Sequence, residues 1–249
     1  MREQIVNKHT WGTNEAIGKT MFGKREITDP AKVLRLNAHA WSQNEALRIS
    51  PRRRWDGDPS AKRVVIRRAD VGELVLSPMR WGLAPDWRRS EPEHQPLMSL
   101  QADAMVETPE WRRLMNTQRC VVPTDQFYEW KRVAGVKTRE FTFRLRNGRP
   151  LMIAALWGRS PSPAGRTVES FAYITCPANR MLASIHDRMP VILDDAGMAT
   201  WLNPNATLES ILALLQPLAS IELEMRPVAG TEPGYARPYQ PSLFASRAA

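Results

Sequence analysis

Apolar positions along this chain alternate with polar ones or run solid over six or seven residues, and few segments carry a helical period. In Arg139–Arg146, Phe141, Phe143 and Leu145 fall on one face and Thr142, Arg144 and Arg146 on the other, the period-two pattern of a half-buried strand. Leu151–Trp157, within Pro150–Gly158, is apolar on both faces and predicts a central strand. Asn147-Gly148 between these two runs predicts a hairpin turn. Further strands are expected at Arg63–Ala69 and Glu73–Ser77 around Asp70-Val71-Gly72, at Arg119–Val122, Gln126–Lys131, Glu169–Cys176, Val191–Leu193 and Ile221–Pro227.

Helices are fewer. Thr108, Pro109 and Glu110 give an N-cap, a proline at the first helical position and an early acid, so a helix is expected over Pro109–Thr117. Others are expected over Asp29–Ala40, from Asp194 or Asp195 to Leu202, and over Thr207–Leu215, with a short one over Ala178–Ile185. Met79–Trp87 and Arg159–Thr167 read as loops, and the segment from Gly230 onward, with Pro233, Pro238 and Pro241, as an extended tail. Strands dominate and no β-α-β alternation appears. The fold class is therefore α+β: one domain over residues 1–249, 230–249 being tail, built on a curved, mostly antiparallel sheet or barrel with peripheral helices.

Composition adds little to this except in its charge. The chain is 43% hydrophobic and 24% charged, ordinary for a globular protein. No apolar run approaches a membrane span, and no apolar leader follows Met1. Two cysteines, Cys120 and Cys176, have no metal-ligand spacing. The expectation is a cytoplasmic monomer without metal or cofactor, nucleoid-associated if bacterial. The net charge of +9 points to a polyanionic partner. Arg48, Arg52, Arg53, Arg54, Lys62, Arg63, Arg67, Arg68, Arg80, Arg88 and Arg89 crowd one stretch, with Trp55, Trp81 and Trp87 among them. Cations beside stacking rings suit single-stranded nucleic acid.

Two segments carry candidate acid–base chemistry. Phe127-Tyr128-Glu129-Trp130-Lys131 sets a carboxylate among aromatic residues, and Ile185-His186-Asp187-Arg188-Met189-Pro190 sets an imidazole in a turn ahead of a strand. A carboxyl and an imidazole in one pocket form an acid/base pair. Equally, Glu129 pairs with an arginine and His186 is a turn residue; spacing leaves both readings open.

These two segments, with Met79-Arg80-Trp81-Gly82-Leu83-Ala84-Pro85-Asp86-Trp87 and Arg119-Cys120-Val121-Val122-Pro123, resemble in order and spacing the signature blocks of the SRAP (SOS response-associated peptidase) family. The resemblance covers most of the chain. It implies a protein of the DNA-damage response whose N-terminal cysteine condenses with the aldehyde of an abasic site in single-stranded DNA, giving a thiazolidine crosslink. It assigns proton transfers to Glu129 and His186, a phosphate contact to Arg188 and a base wedge to Trp87. Arg80, Trp81 and Arg88, from the cation- and tryptophan-rich stretch, complete the expected DNA-binding set. This sequence departs from the family pattern. Arg2 stands where the cysteine is expected, and so large a second residue should leave Met1 in place. Ser99 stands in the position of the asparagine that holds the reactive amine, Gln101 in that of a DNA-contacting arginine, and Arg48-Ile49-Ser50-Pro51 in that of an Asn-x-x-Pro motif. Three functions follow: single-stranded or abasic DNA binding without the thiazolidine crosslink, a residual hydrolase or imine-forming lyase using Glu129 and His186, or a non-catalytic interaction module.

Overall fold

The computed structural model describes residues 25–27, 62–70, 72–88, 96–161 and 165–229. Arg2, the helix expected over Asp29–Ala40, the cations Arg48–Arg54 with Trp55, Arg89 and the tail 230–249 lie outside the described residues.

The longest strand organises the rest. β5, Arg119–Val133, follows β1 (Arg25–Ile27), β2 (Lys62–Arg68), β3 (Leu74–Trp81) and β4 (Ser99–Gln101) in the chain, and precedes β6 (Val136–Leu145), β7 (Leu151–Pro161) and β8 (Thr167–Pro177). It pairs antiparallel with β1, β2, β6 and β7. The ring closes as β7–β8, β8–β3, β3–β2, β2–β5 and β5–β7, a five-stranded barrel. β9 (Arg188–Pro190), β10 (Ile192–Leu193) and β11 (Leu223–Pro227) extend it at the margins. Pairing is antiparallel except where β8 meets β3 and β4, in agreement with the mostly antiparallel α+β expectation.

Closing a sheet on itself buries both faces where strands meet other elements. Leu151–Gly158 of β7 is buried throughout, as its two-sided apolar pattern requires. The interior holds Ile66, Met79, Leu83, Val121, Leu156 and Trp201, each fully enclosed. Aromatic pairs lock it further: Phe127 stacks on Phe143 at 4.9 Å, and Tyr173 takes Trp81 and Phe171 edge-on at 5.5 and 5.2 Å.

Helices cover the ends: α1 (Ala102–Met105), α2 (Pro109–Thr117), α3 (Asp195–Trp201) and α4 (Leu208–Ala213). α3 is capped by Asp194, whose Oδ1 accepts from Gly197 N at 2.7 Å, and α4 by Thr207, whose Oγ1 accepts from Ser210 N at 3.2 Å. Buried Arg119 ties two of these helices to the barrel by donating to the carbonyls of Met115, Asn116, Trp201 and Asn203. None of the helices in the described residues is long and apolar enough to cross a membrane.

Four local expectations are corrected. Met79–Trp81 is strand, since β3 runs on to Trp81, and the end of the expected Met79–Trp87 loop enters a short 3-10 turn, Asp86–Arg88. β5 is not broken at Pro123, which stays in the strand opposite Met152 of β7. Asn147-Gly148 does turn, with Gly148 at φ 71°, but it joins no hairpin: β6 pairs with β5 and β11, and β7 leaves to pair with β5 and β8. The hairpin is instead Ala134-Gly135, between β5 and β6, both residues at positive φ (48° and 79°) as two-residue primed turns require. The helix expected over Ala178–Ile185 shrinks to one 3-10 turn, Leu182–Ser184.

Candidate active site and nucleic-acid interface

Strand β8 gathers the first cluster of expected site residues. On one edge it meets β4 in parallel register, Ser99 opposite Tyr173 and Gln101 opposite Thr175. On the other it meets β9, Thr175 opposite Pro190 and Pro177 opposite Arg188. Thr175 is thus flanked by both strands, and its Oγ1 donates to Leu100 O at 3.1 Å. Arg188 folds back over it. Its Nη2 lies 2.8 Å from the Thr175 carbonyl and 2.6 Å from Asp103 Oδ1. Only 14% of the Arg188 side chain is exposed. The guanidinium hydrogen bond holds the Asp103 carboxyl below its ordinary pKa, against a smaller upward push from burial.

His186 sits in the turn that leads to β9. Asn179 shapes that turn: its Oδ1 accepts from Leu182 N at 3.0 Å and its amide donates to Leu218 O at 2.8 Å. The His186 N–H donates to Leu182 O, and Ala178 N–H to Asp187 O, both at 2.9 Å. The imidazole Nδ1 accepts the Arg188 backbone N–H at 3.0 Å, with Asp187 Oδ1 2.9 Å away. One nitrogen cannot accept from a backbone N–H and donate to a carboxylate at once. Burial, the largest influence, pushes the imidazole pKa below 6.5, Asp187 pulls it up and Arg132 pushes it down. The net direction favours neutral imidazole with Nδ1 as acceptor and the proton on Nε2. Asp187 becomes a partner only on protonation.

Glu129 lies on β5, 3% exposed, opposite Phe141 of β6. Its Oε1 accepts from Trp130 N at 3.0 Å. Arg132, three residues past Glu129 on β5, acts electrostatically on the His186 imidazole.

The expected DNA-contacting residues divide. Arg80 is exposed on β3. Trp87 is half-buried, edge-on to Trp111 at 5.3 Å with the Arg113 guanidinium 6.0 Å from its ring centre. Arg88 ends the 3-10 turn Asp86–Arg88. Trp81 is a correction: at 3% exposure, with its indole N–H donating to Met98 O at 2.9 Å, it is a core residue with no face left for a base. Both cysteines are also core. Burial pushes the Cys176 thiol up to about 11 and Cys120 higher still.

Three residues in these contacts were not singled out from the sequence. Asp103 was legible only as the acid ending the Ser99 block, because its partner lies far along the chain. Thr175 acts through its carbonyl, which every residue has. Arg132 had a signal, since strand alternation puts it on the face of Tyr128 and Trp130.

Comparison with known proteins gives the family to which this strand-rich barrel belongs. Residues 21–231 match the family model for SOS response associated peptidase (SRAP), and the chain belongs to this family. It is 33% identical over 150 residues to abasic site processing protein YoqW of Bacillus subtilis, across 60% of this chain and 67% of that one. It is 29% identical over 184 residues to abasic site processing protein HMCES of Mus musculus, across 61% of this chain and 52% of that one. Among solved structures, a Bacteroides thetaiotaomicron protein superposes with TM-score 0.70 at 22% identity, covering 83% of this chain and 91% of its own.

Proposed function

We propose that this chain is an abasic-site-processing, DNA-binding protein of the SRAP type that holds single-stranded or abasic DNA without forming a thiazolidine. Family membership and the names of its relatives support the substrate, and the net charge of +9 supports a polyanionic partner. The observation that carries the absence of a thiazolidine is the state of the thiols. The sequence has two cysteines, and both are fully enclosed with raised pKa values. A thiazolidine needs an amine and a thiol on one residue, which no internal cysteine offers. Ser99, where the resemblance expects an asparagine, supports the same reading. Glu129 and His186 keep the roles of acid and base, and Arg80, Trp87, Arg88 and Arg188 those of DNA contacts.

The test is a denaturing gel of the protein incubated with single-stranded DNA carrying an abasic site, with and without borohydride, beside a native gel. Native retention with no heat-stable shift is expected. A shift without reductant overturns the reading. A shift that needs borohydride marks an imine and moves the assignment to lyase chemistry at an amine. Arg2→Cys combined with Ser99→Asn should produce the reductant-independent crosslink, and Glu129→Ala on that background should slow it.

A further inference from the structure

Trp87 has two partners on α2 that lie outside the four family blocks, Trp111 and Arg113. Trp111 meets it edge-to-face, with ring centres 5.3 Å apart and planes at 75°. An edge-to-face pair covers one ring face, where a stacked pair covers two. Both rings are half-buried and pack against the hydrophobic core. The pair is therefore held by the fold and still offers flat surface to a third ring.

Arg113 stands beside the pair. It is exposed, and its guanidinium lies 6.0 Å from the Trp87 ring centre, the outer limit of a cation–π contact. Among the described residues it has no carboxylate partner. Arg112, between the two, donates its Nε–H to the Val106 carbonyl. That bond ties α2 to the segment leaving α1, where Asp103 holds Arg188. A cation with donors to spare beside an aromatic face is the combination that grips one nucleotide of a single strand.

We propose that Trp111 and Arg113 complete a subsite for one nucleotide of single-stranded DNA: a base stacks on Trp87, Trp111 holds that ring in place, and Arg113 takes the adjoining phosphate. Neither stacking nor phosphate contact reads a base edge, so the subsite tolerates any sequence. Trp111 acts through Trp87 and is a positioning residue. The inference rests on the DNA-binding reading above.

The experiment is a salt titration of binding to a mixed-sequence single-stranded oligonucleotide, by fluorescence anisotropy, at matched folded fraction. Arg113→Gln should lower the magnitude of the slope of log K against log salt by about 0.7, one phosphate contact. Arg149→Gln, at an exposed arginine paired with Asp195 at 2.6 Å, should leave the slope unchanged. Trp111→Leu should weaken binding about 2- to 12-fold, the worth of an edge-to-face pair, with the slope unchanged. Trp111→Phe should bind as the wild type does. On a Trp87→Ala background, Trp111→Leu should weaken binding no further, which a general loss of structure would not reproduce. Additive losses in that double variant overturn the subsite. So does a wild-type slope in Arg113→Gln, a result that stands even where Trp111→Leu fails to fold. Equal slope loss in Arg149→Gln overturns it in favour of a diffuse basic surface. Each of these leaves the DNA-binding reading standing, whereas a wild type that does not bind the oligonucleotide overturns both.

Discussion

The Arg188 guanidinium and the Asp103 carboxylate meet at 2.6 Å, although one lies in β9 and the other follows β4. The two strands flank Thr175 on opposite edges of β8, and the guanidinium takes the Thr175 carbonyl at the same time. An arginine expected to hold a DNA phosphate is thus already engaged by the protein. If Arg188 is to take a phosphate through Nη2, the 63% exposed Asp103 carboxylate would compete for it.

Removing either partner should have opposite effects. Asp103→Asn should cost little stability, since a pair whose carboxylate is 63% exposed contributes at most about 1 kcal/mol. It should tighten single-stranded DNA binding by releasing Arg188 and deleting a negative charge. Arg188→Ala leaves the Thr175 carbonyl short of a partner and should cost ~1–3 kcal/mol in urea unfolding, with weaker DNA binding. Asp103→Asn that weakens binding would rule out the competition.

His186 should titrate below 6.5, because burial, with help from Arg132, disfavours the imidazolium. The unfolded chain takes its proton at the ordinary value and the folded chain only at lower pH. Stability from this group is therefore unaffected above 6.5 and declines as pH falls through and below it. Arg132→Gln should move the midpoint upward, read from the imidazole proton resonances by NMR. A midpoint at or above 6.5 in the wild type would contradict the burial argument.

Neither thiol should react in the native protein. With Cys176 near 11 and Cys120 above it, the thiolate fraction near neutral pH is minute and both sulfurs lie in the core. Maleimide labelling followed by intact mass should show no adduct until denaturant is added, and then two. Rapid native labelling of either would overturn the proposed reason for the missing thiazolidine.

The two tryptophans of the Met79–Trp87 block should separate in assay. Trp81→Ala opens the core and should destabilise the fold by about 3–5 kcal/mol. Trp87→Ala, at a half-buried ring, should leave the fold intact and cost about 1–3 kcal/mol of single-stranded DNA affinity through lost stacking. Equal effects on binding at equal folded fraction would refute the division.

Local signals were legible wherever one element settles its own conformation. Thr108, Pro109 and Glu110 specify α2 through its first turn, and the helix spans the expected Pro109–Thr117. The alternation of β6 and the two-sided apolar run of β7 likewise match their environments. The misses occur where a distant partner decides. Pro123 has no N–H to donate and reads as a break, yet β7 holds it in line. Asn147-Gly148 reads as a hairpin, but barrel closure gives β7 better partners than β6. The Ala134-Gly135 turn was obscured because alanine rarely takes positive φ. For the site, residue types at Glu129, His186 and Ser99 could be read from family blocks. Neither the burial of Trp81 nor the hold of Asp103 on Arg188 is a property of local sequence.

Strand β8 closes the ring, and it comes late in the chain. While a nascent chain is emerging from the ribosome, β2, β3, β5 and β7 can assemble as an open sheet, but β3 and β7 then face solvent as bare edges. Both are sealed only when Thr167–Pro177 arrives, and one of the two seams, Arg80 against Ser170, is parallel. Long-range parallel closure is slow, and open edges recruit other chains in the meantime. High-level expression should therefore meet its difficulty during synthesis, through sheet-edge association of incomplete chains, while the finished barrel presents no such edge at that seam.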